Sequence, residues 1–268
     1  VYWATPCRSW HHMRFDLKEA LAAADARALD ACLERRLAAV IDLTSLSGDE
    51  TDDAFRELCR RAVRLDVAAV CVLPKALAAA REALGVARVK LATVANFPDG
   101  SDDLAATADA VAAAVAAGAD EVDIVAPLTA AIEGDVELTG ELVGLCRAAA
   151  GSSIVLKLIL ETGLLERPDL ITAVARSGVM AGIDFLKTST GKIPTGATPE
   201  SAALLFDVAA EAGGHVGVKL SGGVRTIGDA KRYWAIGRAM MGEEWLIPAR
   251  FRIGASRLLV ELEGQMQR

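Results

Sequence analysis

Eight short apolar runs recur along this chain at the spacing of one strand plus one crossover helix, a pattern that few folds can accommodate. The runs close near Asp42, Cys71, Thr93, Asp123, Lys157, Lys187, Lys219 and Ile253, at intervals of 29, 22, 30, 34, 30, 32 and 34 residues. Each interval has room for a strand and the helix that carries the chain back. Between the runs the sequence reads as helix over 52–64, 74–84, 102–117, 136–150, 168–177, 199–212, 227–237 and 255–262. Thr51-Asp52-Asp53 and Thr198-Pro199-Glu200 supply helix starts, an N-cap followed by an acid or a proline. Eight alternations of this kind predict an α/β chain folded as a (β/α)8 TIM barrel, with one extra helix in front over 16–37. The 268 residues suit one such barrel, so 16–268 are expected to form a single domain and 1–15 an N-terminal extension.

This fold collects reactive groups at the C-terminal ends of its strands. Asp42, Thr44, Asp123, Lys157, Lys187 and Lys219 are expected there. Strand alternation turns Lys187 and Phe185 into the barrel and Leu186 toward a helix; it also puts Glu121 and Asp123 together on the inner face. Strands six and seven are neighbours, about 4.8 Å apart, so Lys187 and Lys219 present two amines across one gap. A free lysine is neutral to only about 0.1% near pH 7.4. A second ammonium and a dry pocket both favour the neutral, nucleophilic form. The opposing reading is that each lysine pairs with a carboxylate such as Asp123, Asp42 or Glu161. The residues alone leave open whether Lys187, Lys192 or Lys219 is the nucleophile.

An anion site is expected on the loops after strands six, seven and eight. Thr190, Gly191 and Lys192 follow the sixth strand, Gly222, Gly223 and Arg225 the seventh, and Gly254 and Ser256 open the last helix. Glycines let backbone N–H groups approach an oxyanion, and helix N-termini add positive potential. A net charge of −7 leaves that attraction to a local site and argues against nucleic acid as a partner. Five scattered cysteines, with no close pair, indicate a reduced, cytoplasmic protein, and no apolar run is long enough for a membrane span. Thr44 and Cys71 are expected to line the pocket.

The segments Ile41-Asp42-Leu43-Thr44, Thr93 to Pro98, Gly118 to Asp123, Leu156-Lys157 with Glu161-Thr162-Gly163, Phe185 to Lys192, and Gly217-Val218-Lys219 with Gly222 to Arg225 are together highly specific. Over Ile41 to Ser256 the chain resembles deoxyribose-phosphate aldolase, a class I aldolase family of the barrel fold. The resemblance implies that Lys187 forms a Schiff base, that Lys219 tunes it, and that Asp123 relays protons with water. It implies cleavage of 2-deoxy-D-ribose 5-phosphate to D-glyceraldehyde 3-phosphate and acetaldehyde, with no cofactor and no metal. A small phosphorylated sugar and acetaldehyde would then be the partners, with a homodimer as a further expectation. Two departures stand out: Arg257 follows Ser256 where a second serine is common, and no tyrosine closes the sequence. A transaldolase-like Schiff-base enzyme and a non-catalytic phosphosugar-binding barrel are the alternatives.

Overall fold

The computed structural model describes residues 16–266, so the expected extension over 1–15 lies outside the described residues. Strands form in all eight predicted places: β1 (Ile41–Ser45), β2 (Ala69–Val72), β3 (Lys90–Ala95), β4 (Glu121–Val125), β5 (Val155–Ile159), β6 (Phe185–Lys187), β7 (Gly217–Ser221) and β8 (Phe251–Ala255). All are parallel, each pairs with its sequence neighbours, and β8 returns to β1 with Ile253 opposite Ile41. The chain is a (β/α)8 TIM barrel.

Among the described residues twelve α-helices accompany the strands: α1 (Leu17–Ala26), α2 (Ala31–Ala39), α3 (Asp52–Arg64), α4 (Leu77–Leu84), α5 (Leu104–Ala116), α6 (Leu128–Glu133), α7 (Glu137–Ala150), α8 (Thr162–Leu165), α9 (Pro168–Met180), α10 (Pro199–Glu211), α11 (Ile227–Met241) and α12 (Arg257–Met266). Two α-helices, not one, precede the barrel among the described residues. The Asp30 carboxylate accepts from Leu33 N at 2.7 Å and so starts α2 afresh, which breaks the single helix expected over 16–37. The short helices α6 and α8 carry too few residues to leave a periodic signal. Among the described residues no helix is long and apolar enough to cross a membrane.

Alternation along the strands divides their side chains between two environments. Leu43, Val70, Val122, Leu156, Leu186 and Val218 face the helices and merge into the main core. The residues between them face inward, and the interior is unequal around its circumference. On β2 and β3 it is small and apolar, with Ala69, Cys71, Ala92 and Val94 packed under Leu46. On β4 to β8 and β1 it is charged. Phe185 fills the floor against Gly217, where a Cβ would come within 2.4 Å of the ring. The strands run on past Asp42, Asp123, Lys157 and Lys219, so these side chains lie within their strands, below the rim where the sequence put them; Lys187 alone ends its strand.

Candidate active site

Register brings the two amines together. Lys187 on β6 stands directly opposite Lys219 on β7, and Asp123 on β4 opposite Lys157 on β5. Lys187 Nζ donates to Asp123 Oδ2 at 2.8 Å, and Lys219 Nζ donates to the same oxygen at 2.7 Å. The two nitrogens can therefore be no farther apart than the sum of those distances. Lys157 Nζ takes the other oxygen, Asp123 Oδ1, at 2.8 Å. One carboxylate thus serves three amines, and Asp123, Lys157 and Lys219 are fully buried while Lys187 is only 2% exposed.

Below this layer lies a residue that sequence reasoning passed over. Arg252 on β8 donates to Asp42 Oδ1 at 2.6 Å and to Glu121 Oε1 at 2.8 Å, with its guanidinium 5.6 Å over the Phe185 ring. Phe251 and Ile253 on either side face the helices, so the rule applied to β6 would have turned Arg252 inward as well. Glu121 Oε2 closes an ion pair with Lys157 Nζ at 2.6 Å. Lys219 Nζ also stands 2.5 Å from Asp42 Oδ2, in ion-pair contact without hydrogen-bond geometry. The expected alternative, lysines paired with carboxylates, is thus present in the geometry, and the pairing is unequal.

That inequality sets the protonation pattern. Asp123 is held well below the usual carboxylate range: burial opposes ionisation, but Lys157, Lys187 and Lys219 together outweigh it. Lys157 and Lys219 are raised, since Asp123 with Glu121 in one case and with Asp42 in the other overcome burial. Lys187 moves the opposite way. Burial lowers it, Asp123 pulls it back, and Lys219 lowers it further. Its one carboxylate contact is shared, so it is the amine that releases a proton most readily. Of the two causes that lower it, burial is the larger and the neighbouring ammonium the smaller. Cys71, buried in the barrel beside the same amines, is kept as a thiol by desolvation.

Above the amines the β6 and β7 loops are laced together. Thr188 Oγ1 accepts from Ser221 N at 3.0 Å, and Ala197 N donates to the carbonyls of Ser221 and Gly222. Gly196 lies so close to Gly222 that a Cβ would come within 2.0 Å of its carbonyl oxygen. Gly191, Gly222 and Gly223 have φ of +79°, +79° and +90°, which glycine adopts without strain. Glu161 accepts from Thr190 N at 3.2 Å and from the Thr190 hydroxyl. Thr190 Oγ1 in turn accepts from Lys192 N at 3.0 Å. Lys192 Nζ crosses the mouth to the Leu46 carbonyl at 2.6 Å, and Thr44 Oγ1 donates to the Asp42 carbonyl at 2.8 Å. A Cβ at Gly254 would crowd the site, lying 3.0 Å from the Ser221 side chain and 3.3 Å from Lys219 Cε. Arg225 and Ser256 are exposed. Arg225 faces an outer groove of about 470 Å³ shared with Thr226, Arg257, Val260 and Glu261.

A closed barrel that buries three amines on one carboxylate has the architecture of an aldolase. A family model described as DeoC/LacD family aldolase matches residues 36–246, and the chain belongs to that family. Among solved structures it is similar to the deoxyribose phosphate aldolase of Aeropyrum pernix, which forms a tetramer, at 27% identity over 94% of this chain and 99% of that one (TM-score 0.73). It is also similar to a protein of Coccidioides immitis provisionally named for the same activity, at 27% identity, the same coverage of both chains and a TM-score of 0.78. A Toxoplasma gondii protein, 21% identical over 93% of this chain and 97% of its own length, shares the fold (TM-score 0.82).

Proposed function

We propose that this chain reversibly cleaves 2-deoxy-D-ribose 5-phosphate to D-glyceraldehyde 3-phosphate and acetaldehyde through a Schiff base on Lys187. The observation that carries the reading is the sharing of Asp123 Oδ2 by Lys187 and Lys219, which leaves one buried amine under-paired beside one that is held protonated at rest. Neutral Lys187 adds to the aldehyde carbon of the open-chain sugar. Lys219, held protonated, gives a proton to the departing hydroxyl of the carbinolamine, and the iminium forms on a nitrogen that, as the free amine, lies 2.8 Å from the Asp123 carboxylate. The C2–C3 bond then breaks: its electron pair moves into the iminium to give the enamine, and the C3 hydroxyl passes its proton to Lys219, left neutral by the carbinolamine step, as that carbon becomes the aldehyde of glyceraldehyde 3-phosphate. Protonation of the enamine carbon and hydrolysis release acetaldehyde and restore the amine. The substrate phosphate is assigned to the backbone around Gly191, Gly222, Gly223 and Gly254, with Lys192, Arg225 and Ser256 nearby.

Borohydride reduction in the presence of acetaldehyde, followed by peptide mapping, tests this directly. The adduct is expected on Lys187. An adduct on Lys219 or Lys192, or none, would overturn the assignment, and trapping by dihydroxyacetone instead of acetaldehyde would point to a transaldolase-like enzyme.

A further inference from the structure

Among the described residues the connected interior cluster holds four bases, Lys157, Lys187, Lys219 and Arg252, against three acids, Asp42, Glu121 and Asp123. With every group ionised it would carry one uncompensated positive charge among residues that are each no more than 5% exposed, and an uncompensated buried charge is strongly disfavoured. One base must therefore be neutral. Arginine does not deprotonate in proteins, so the neutral member is one of the lysines.

We propose that Arg252 is the positioning residue that assigns neutrality to Lys187. Its guanidinium occupies Asp42 Oδ1 and both oxygens of Glu121, which adds a fixed charge to the cluster and makes Lys187 the member that gives up the excess proton. The inference rests on the Schiff-base reading of Lys187 and deepens it: the amine is selected by the charge count of the whole interior, including a group one strand beyond its own neighbour.

The geometry shows why the vacancy falls on Lys187. Lys157 meets Glu121 at 2.6 Å and Asp123 at 2.8 Å, and Lys219 meets Asp42 at 2.5 Å and Asp123 at 2.7 Å, so each has two carboxylates at contact distance. Lys187 has Asp123 alone, through an oxygen already used by Lys219. Asp123 from β4, Lys219 from β7 and the Cys71 thiol from β2 act on Lys187 directly; Asp42 from β1, Glu121 from β4, Lys157 from β5 and Arg252 from β8 join it through the ion pairs of the cluster. The inner positions of β3 are the apolar Ala92 and Val94. Glu161, beyond β5, is turned to Thr190 at the mouth. Arg252 touches no reacting atom in this arrangement. Its Nε donates to the Pro248 carbonyl and its fork is saturated by the two acids, so its influence on Lys187 passes through them.

Competitive labelling of the lysines over a range of pH, read by peptide mapping, follows the proton on Lys187 without substrate or turnover. Arg252→Met removes the fixed charge and should move the Lys187 labelling midpoint upward by about one pH unit, a tenfold loss of neutral amine near pH 7. Arg252→Met combined with Glu121→Gln restores the balance and should return the midpoint toward that of the parent protein. Glu121→Gln alone should move it downward. Arg252→Lys, which keeps a charge, should stay near the parent value. A midpoint indifferent to Arg252→Met, or a double variant that behaves like the single one, would reduce Arg252 to a structural ion pair. Should Arg252→Met fail to fold, the sign with Glu121→Gln decides: an unchanged or raised midpoint overturns the proposal. Failure of the acetaldehyde trap with these shifts intact would instead remove the Schiff-base reading and leave the protonation rule standing.

Discussion

At the scale of single residues, the chemistry turns on how Asp123 divides itself. Each of its oxygens faces an amine within 2.8 Å, and the contested oxygen leaves Lys187 less well compensated than its neighbours. Lys219→Leu removes a like charge and simultaneously frees that oxygen for Lys187. Both changes stabilise the ammonium, so they act with the same sign on the nucleophile. A lysine whose value is lowered loses its neutral form as pH falls through that value, which gives the acidic limb of the rate profile. In Lys219→Leu this limb should shift to higher pH, and turnover near pH 7 should fall by about 10²-fold or more. The limb should nevertheless remain below the ordinary lysine value of about 10.4, because burial, the first cause of the lowering, persists. A pH–rate profile that matches the parent would show that the second amine has no part in activation.

At the scale of elements, the β6 and β7 loops act as one piece. Gly196 lies against the Gly222 carbonyl, and Tyr233 of α11 donates to the Ala197 carbonyl at 2.7 Å from behind. Gly196→Ala must separate the two loops, since the obstruction is backbone. The expected result is a KM for the phosphorylated sugar raised about tenfold or more with a smaller change in kcat, measurable by steady-state kinetics; an unchanged KM would place phosphate elsewhere. Legibility in the sequence varied with the same physics. The strands were readable because each is a short apolar run, and Lys187, Lys219 and Asp123 stood out as charges that such runs do not tolerate without a use. Their depth was not readable, since Leu43, Leu158 and Leu220 continue the strands beyond the charged positions without any change of pattern. Arg252 is hidden in the sequence by the apolar residues around it on β8, and only the alternation of Phe251 and Ile253 marks it as inward-facing. The break before α2 rested on one capping carboxylate, Asp30, in an otherwise continuous leucine pattern.

For the whole molecule, closure and charge balance depend on the same strand. β8 seals the barrel between β7 and β1, and its Arg252 neutralises acids from β1 and β4. A chain truncated after Leu246 would expose the edges of β1 and β7 and leave Asp42 and Glu121 without their guanidinium. Removal of one partner from a buried ion pair costs about 3–5 kcal/mol. Such a truncation should lack a cooperative thermal transition by circular dichroism, and a two-state melt would contradict that account. The unequal interior described above also has a bearing on how this scaffold can change over generations. Around the barrel axis, one arc holds only Ala69, Cys71, Ala92 and Val94 with Leu46 above them, while the remaining arc holds every member of the proton-sharing cluster. Heritable variation in the first arc reshapes the space offered to an aldehyde without altering a single charge; variation in the second alters the chemistry outright. A library randomised at Ala92 and Val94 should therefore yield folded, acetaldehyde-trapping variants far more often than one randomised at Lys157 and Asp123. The compass bearing of a residue about the axis, more than its distance from Lys187, would then govern which mutations selection can keep.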